Sequence, residues 1–199
     1  MAKKKMTLRQ AQAIKTKKKI FDAAIFLMDK NGFEETTIDD ISKKAGVSVG
    51  AFYHYFKSKT DIFYEVYKRH DEYFKNEVLQ FLNAENAYDN VITFFKYYST
   101  YNQYDGLEFI RQLYNTQNKL FIDHERYTYV LLNQIIKEGQ EKKQIIEDMT
   151  SESIVDFLFI MARGIVYDWC LHEGDYDIVA MMAEMIGRLR LLYEIKPKS

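Results

Sequence analysis

Proline occurs once in this chain of 199 residues, at Pro197. Because proline removes a backbone donor and clashes with the preceding turn, it is the residue that most reliably breaks a helix interior. With none before Pro197, helical periodicity can be followed almost from end to end, and no stretch shows the alternation of a strand bounded by turns. The chain reads as all-α. Ile20, Ala24 and Leu27, with Phe21 and Met28, form one apolar stripe that stops at Asn31-Gly32, where glycine suits a helix C-cap. Thr37 then stands as an N-cap with Asp40 three residues on, an acidic variant of the capping box; Ile38, Ile41 and Ala45 share a face, and Gly46 ends this short second helix. Ser48 caps a third segment, Val49 to Phe56, in which Phe52 and Phe56 point the same way. Ser58 and Asp61 repeat the capping signature and open a long fourth helix through Ile62, Phe63, Val66, Phe74 and Val78. Turn-like breaks at 83–86, 104–106, 149–151 and 172–177 divide the remainder into about five further helices.

Composition narrows what such a chain can do. With 47% hydrophobic residues it can build a core, and it has no apolar run of the roughly 18 residues that a membrane span needs. The single cysteine, Cys170, cannot form an internal disulfide, which fits a reducing compartment; a cytoplasmic location is expected. Asp168, Cys170 and His172 raise the question of a metal or thiol site, but Cys170 lies on another helical face from the other two and the histidines are scattered. Phosphate-binding glycine loops and nucleophile elbows are missing, and both would need strands. No enzyme activity, catalytic residue, metal site or cofactor is expected. Charge is unevenly placed: residues 1–75 carry 16 Lys and Arg against 10 Asp and Glu, whereas residues 76–199 carry 12 against 19. Residues 1–19 hold Lys3, Lys4, Lys5, Arg9, Lys15, Lys17, Lys18 and Lys19 with no acid, either a solvated tail or an arm that neutralises phosphates.

The segment 36–59 decides between these. Two capped helices joined by the tight turn Ala45-Gly46-Val47-Ser48 have the pattern of a helix-turn-helix, a motif that lays its second helix in the major groove. With Phe52 and Phe56 turned inward, Gly50 and His54 face outward, flanked by Ala51 and Tyr53. Small residues allow close approach to DNA, and Tyr and His can reach phosphates or base edges. Thr37 and Ser48 begin helices whose free N–H groups suit phosphate oxygens, although both would serve as caps in a protein that never meets DNA.

Ala23-Ala24, Gly32-Phe33, Thr36-Thr37-Ile38, Asp40-Ile41, Ala45-Gly46-Val47-Ser48, Gly50, Phe52-Tyr53, Tyr55-Phe56 and Lys59 together make residues 17–70 resemble the DNA-binding domain of the TetR family of bacterial transcription regulators. The resemblance implies an all-helical homodimer on a near-palindromic operator. It also implies DNA contacts, mostly to phosphates, from Thr37, Ser48, Gly50, Tyr53, His54 and Lys59. Val49 and Ala51 occupy positions where members often carry polar base readers, so the operator sequence does not follow. The expected layout is a basic arm over 1–16, a three-helix DNA-binding domain over 17–75 with its helix-turn-helix at 37–56, and an effector-binding and dimerisation bundle over 76–199, entered through the long fourth helix.

In the bundle, Ile178, Met182, Met185, Leu189 and Leu192 recur at steps of four, three, four and three, and Ile154, Phe157, Met161 and Ile165 line the helix before. The resemblance implies that the last two helices carry the dimer interface; an internal core face would look the same. Aromatic residues crowd the middle, and Phe94, Tyr98, Phe109, Tyr114, Phe121, Tyr127 and Trp169 are candidates to line a pocket for a small apolar or aromatic effector. The expected function is a sequence-specific DNA-binding transcription regulator, a repressor released from its operator by that effector. The alternative keeps the fold and makes the protein a structural or protein-recruiting factor on DNA.

Overall fold

The computed structural model describes residues 7–114 and 119–195; the expected basic cluster Lys3–Lys5 lies outside them. Among the described residues there are nine α-helices and no strand, only an isolated antiparallel bridge between Ile145 and Glu194. The chain divides into two compact units, residues 1–66 and 67–199, with the boundary inside the fourth helix.

In the first unit α1 (Leu8–Asn31) starts twelve residues ahead of the apolar stripe. Thr7 accepts from the Gln10 N–H and the Gln10 side chain returns the bond to the Thr7 N–H, a complete capping box worth about 1 kcal/mol. Residues 8–16, expected as part of a basic arm, are therefore helical, yet no residue of α1 before Ile20 is buried. Beyond that point Ile20, Ala24 and Met28 pack with Ile41 of α2 (Ile38–Ala45) and Phe52 of α3 (Val49–Tyr55), all without exposure, and Phe56 and Ile62 close the core. Thr36 sends its hydroxyl back to the Gly32 carbonyl at 2.8 Å, fixing the loop between α1 and α2.

α4 (Asp61–Tyr73) continues into a wider π turn, Phe74–Val78, and a 3₁₀ turn, Leu79–Phe81. In the second unit α5 (Ala87–Asp105) packs against α6 (Leu107–Leu113), α7 (Tyr127–Glu141), α8 (Ser151–Leu171) and α9 (Ile178–Tyr193). Asn86, Thr150 and Asp177 cap α5, α8 and α9 through their side chains, at three of the breaks that the sequence marks. The centre is aromatic: Phe94 lies 4.6 Å from Phe74 and 5.2 Å from Phe95, and Phe159 meets Phe94, Phe95 and Tyr98 edge-on. The buried Tyr88 hydroxyl is satisfied by the Ile186 carbonyl at 2.9 Å, pinning α5 to α9.

Candidate nucleic-acid interface

The recognition segment is built by its caps. Thr37 and Asp40 exchange backbone N–H bonds at the start of α2, and the Thr37 hydroxyl also donates to the Asp40 carboxylate, holding that carboxyl below its usual range. Gly46 ends α2 at φ +66°, the left-handed conformation that glycine adopts without strain. The Ser48 hydroxyl oxygen accepts the Ala51 N–H at 3.1 Å and starts α3. Phe52 is wholly buried, which fixes the rotation of α3 and turns its other side to solvent. Tyr53 is 54% exposed, Val49 is 37% exposed, and Thr37, Ser48, Gly50 and His54 are exposed as well, with Ala51 half-buried. His54 leans edge-on against Tyr55 at 4.9 Å, and Tyr53 against Phe52 at 5.6 Å.

Gly50 separates packing from function. A Cβ built there would meet only the Ser48 Oγ, at 3.9 Å, so nothing in the protein requires glycine at this exposed helical position. Glycine in a helix interior costs about 1 kcal/mol against alanine. Its lack of a side chain leaves the backbone of α3 open to close approach from outside.

Lys59 is placed differently from the other expected contacts. Its Nζ donates to the Phe33 carbonyl at 2.6 Å and the Glu34 carbonyl at 3.3 Å, and rests 4.5 Å from the centre of the Phe33 ring. It closes the loop after α1 and so supports α2. Lys44 lies 3.6 Å over the Phe26 ring, and Lys17 pairs with Glu65. The exposed Lys57 spends only its backbone N–H, on the Asp61 carboxylate at 2.7 Å. Sequence reasoning passed over it because it belongs to no periodic stripe.

In the second unit the structure separates the expected interface residues. Ile154, Ile165, Ile178 and Met182 are buried in their own protomer and offer no free face; Phe157, Met161 and Leu189 are half-buried, and Met185 and Leu192 are exposed. The solvent-facing seam of α8 runs one step away, through Phe157, Ile160, Gly164, Tyr167 and Leu171 at steps of three, four, three and four. Ile160, Tyr167 and Leu171 are 58%, 52% and 63% exposed. The expected pocket aromatics also divide. Phe94, Phe109 and Trp169 belong to the core, Trp169 donating its indole N–H to the Tyr176 carbonyl at 3.1 Å, and Tyr127 is the half-buried first residue of α7. Tyr114 lines a cleft of about 330 Å³ with Arg111, Tyr167, Cys170, Leu171 and Glu173. Tyr98 and Phe121 line a far smaller space beside Arg126 and Arg163. Asp168 and His172 form a surface pair at 3.4 Å, while Cys170 is buried and its thiol is pushed up to about 11 by desolvation. No group of three or more metal-ligating side chains occurs among the described residues. No helix among them is long and apolar enough to cross a membrane.

Comparison with known proteins agrees with this geometry. Residues 20–66 match the model for bacterial regulatory proteins of the tetR family, and residues 96–192 match the C-terminal region of YsiA-like proteins. The fatty acid metabolism regulator protein of Bacillus subtilis is 26% identical over 180 residues, covering 85% of this chain and 91% of that protein. The biofilm operon regulator IcaR of Staphylococcus aureus is 34% identical over 70 residues, 35% of this chain and 38% of that one. Among solved structures, the fatty acid degradation regulator FadR of Bacillus halodurans superposes with a TM-score of 0.73 at 19% identity, covering 94% of this chain and 97% of that chain. FadR of Bacillus subtilis in complex with stearoyl-CoA gives 0.64 at 20% identity, covering 87% and 96%. Motif, caps, all-helical architecture of the described residues and matched models agree: the chain belongs to the TetR family and is a helix-turn-helix DNA-binding transcription regulator.

Proposed function

We propose that the protein is a cytoplasmic homodimeric repressor that sets α3 of each subunit into the major groove of a near-palindromic operator and is released by an acyl-chain effector. The open backbone at Gly50, between the N-terminus of α3 and the exposed Tyr53 and His54, carries the DNA-binding half of this reading. Thr37 and Ser48 supply helix starts for phosphates, and Val49 and Ala51 are the positions that read bases. Lys59 acts by holding the loop behind α2.

Two-fold symmetry is needed because one helix-turn-helix reads too few base pairs for specific binding. The exposed seam of α8 with Met185 and Leu192 of α9 is the surface that a second copy would cover. An acyl effector is favoured by similarity to a fatty acid metabolism regulator along 85% of the chain, together with a cleft whose walls are mostly Tyr114, Tyr167, Cys170 and Leu171.

Selection of sites from a random duplex pool, followed by titration of the winner against scrambled DNA at two salt concentrations, tests the reading. A palindrome bound by two subunits and released by stearoyl-CoA or a related acyl thioester is expected. Weak binding that ignores sequence and vanishes with salt would refute it.

A further inference from the structure

α7 begins without a cap of its own: Arg126 stands at the N-cap position and its side chain makes no capping bond. The missing acceptor comes from α4. Asp71 Oδ1 accepts the Thr128 N–H at 3.3 Å and the Thr128 hydroxyl at 3.0 Å. The same carboxylate takes both arms of the Arg126 guanidinium, Nη2 to Oδ1 at 3.0 Å and Nε to Oδ2 at 3.3 Å. Asp71 is thus an internal anion seated where a helix N-terminus and a fixed guanidinium converge, the arrangement that proteins use to hold carboxylate and phosphate oxygens.

Three neighbours make this more than a tie between helices. Arg126 also borders a space of about 20 Å³ with Arg163, Thr128, Tyr98 and Phe121, room for about one water-sized group. Arg163 donates to the Phe121 carbonyl at 3.1 Å, which holds a second guanidinium at this space. Next to Arg126 lies the buried His70, with Nδ1 3.5 Å from Nη2 and no partner for Nε2. Burial and the facing Arg126 hold His70 well below its usual titration range, so it carries no positive charge with which to compete with Arg126 for the carboxylate.

We propose that the Arg126–Thr128 site is the docking point for the anionic end of the effector, and that the effector binds there by displacing Asp71. The inference rests on the acyl reading above for the class of ligand. A space this small admits an oxygen-sized group and no chain, so what it reads is the charge at the end of a long apolar molecule. The exchange couples the two functions. Asp71 belongs to α4, a helix continuous from Asp61 to Tyr73, and once its partner is taken the carboxylate must leave the α7 N-terminus for water. The paired form binds operator and the exchanged form binds effector, so each ligand weakens the other by the same factor.

Operator affinity is measured for the full-length protein alone and with stearoyl-CoA, stearate and CoA as separate probes, for wild type, Asp71→Asn, Arg126→Gln and Thr128→Ala. Circular dichroism confirms folding, and Thr128→Ala, which removes one hydrogen bond, serves if the others fail to fold. Asp71→Asn is expected to lose at least roughly tenfold in operator affinity without any probe, to bind the active probe more tightly than wild type, and to show little further release. Arg126→Gln is expected to lose the probe, and Thr128→Ala to shift both affinities in the sense of Asp71→Asn by a smaller factor. Release by stearate would place a carboxylate at the site; release by stearoyl-CoA and CoA, a phosphate. If wild type is released by a probe and Asp71→Asn binds operator and responds as wild type does, the exchange is wrong and the acyl reading stands. If no probe releases wild type but Asp71→Asn still loses operator affinity, the acyl reading fails and the Asp71 tie to operator binding stands. If neither occurs, both fail.

Discussion

Gly50 and Lys59 stand close in sequence and are held for opposite reasons. Replacing Gly50 by alanine meets only the Ser48 Oγ at ordinary contact distance and removes a glycine from a helix, so it should raise stability by up to about 1 kcal/mol. If α3 approaches DNA at this point, the same methyl group should weaken operator binding at least roughly tenfold, about 1.4 kcal/mol; thermal unfolding and operator titration on one preparation separate the two effects. Lys59→Ala removes two bonds from a charged donor to the Phe33 and Glu34 carbonyls, so a loss of roughly 1–3 kcal/mol in stability is expected, with little change in the salt slope of DNA binding. A slope lower by about one with unchanged melting would assign its charge to a phosphate after all. These cases mark how far single residues were legible. Thr37, Ser48 and Asp40 could be read because a cap acts within four residues. The role of Lys59 could not, because its acceptors lie 25 and 26 residues upstream and no local pattern connects them.

Among the helices, α5 and α7 carry the sharpest constraints. Gly139 in α7 is closed in where Gly50 is open: a Cβ there would stand 2.7 Å from the Ala87 Cβ and 2.7 Å from the Ile145 Cδ1. Gly139→Ala should therefore destabilise the bundle by roughly 1–3 kcal/mol in denaturant unfolding, against the gain that helix propensity alone forecasts. At the end of α5, burial raises the Asp105 carboxyl from 3.8 to about 7 despite the nearby Arg69. The folded state thus holds that proton more tightly than the unfolded chain, so its contribution is complete below pH 4 and is lost as pH rises toward 7. Asp105→Asn should raise the melting temperature at pH 8 and leave it nearly unchanged at pH 4; equal shifts at both pH values would show that the carboxyl is not the cause. The caps at Asn86, Thr150 and Asp177 made most helix boundaries readable. The start of α1 was missed because residues 8–19 bury nothing and so have no stripe, although Thr7 and Gln10 spell a capping box.

At the scale of the assembled molecule, the fold class and the family were legible because cap, turn and stripe agree over the first seventy residues. The proposed dimer face was not. α8 carries two apolar seams, one through Ile154 and Ile165 that packs inside and one through Ile160, Tyr167 and Leu171 that faces out, and hydrophobicity does not distinguish them. The double substitution Ile160→Glu and Met185→Glu changes two exposed side chains of the proposed face, neither of which lines the effector cleft, so helicity should persist. Sedimentation should then show a monomer, and operator affinity should fall on the order of 100-fold as the second half-site is lost; a dimer that survives both charges would move the interface elsewhere. Gly164 sits in the middle of that outer seam with no heavy atom within 4 Å of where its Cβ would be. A notch there gives the seam a shape as well as a stickiness. If a second copy covers this seam as proposed, its backbone can enter the gap, while a related protein with a leucine at the same step would collide there. On that proposed face, one missing side chain would keep a regulator's subunits from mixing with those of its relatives.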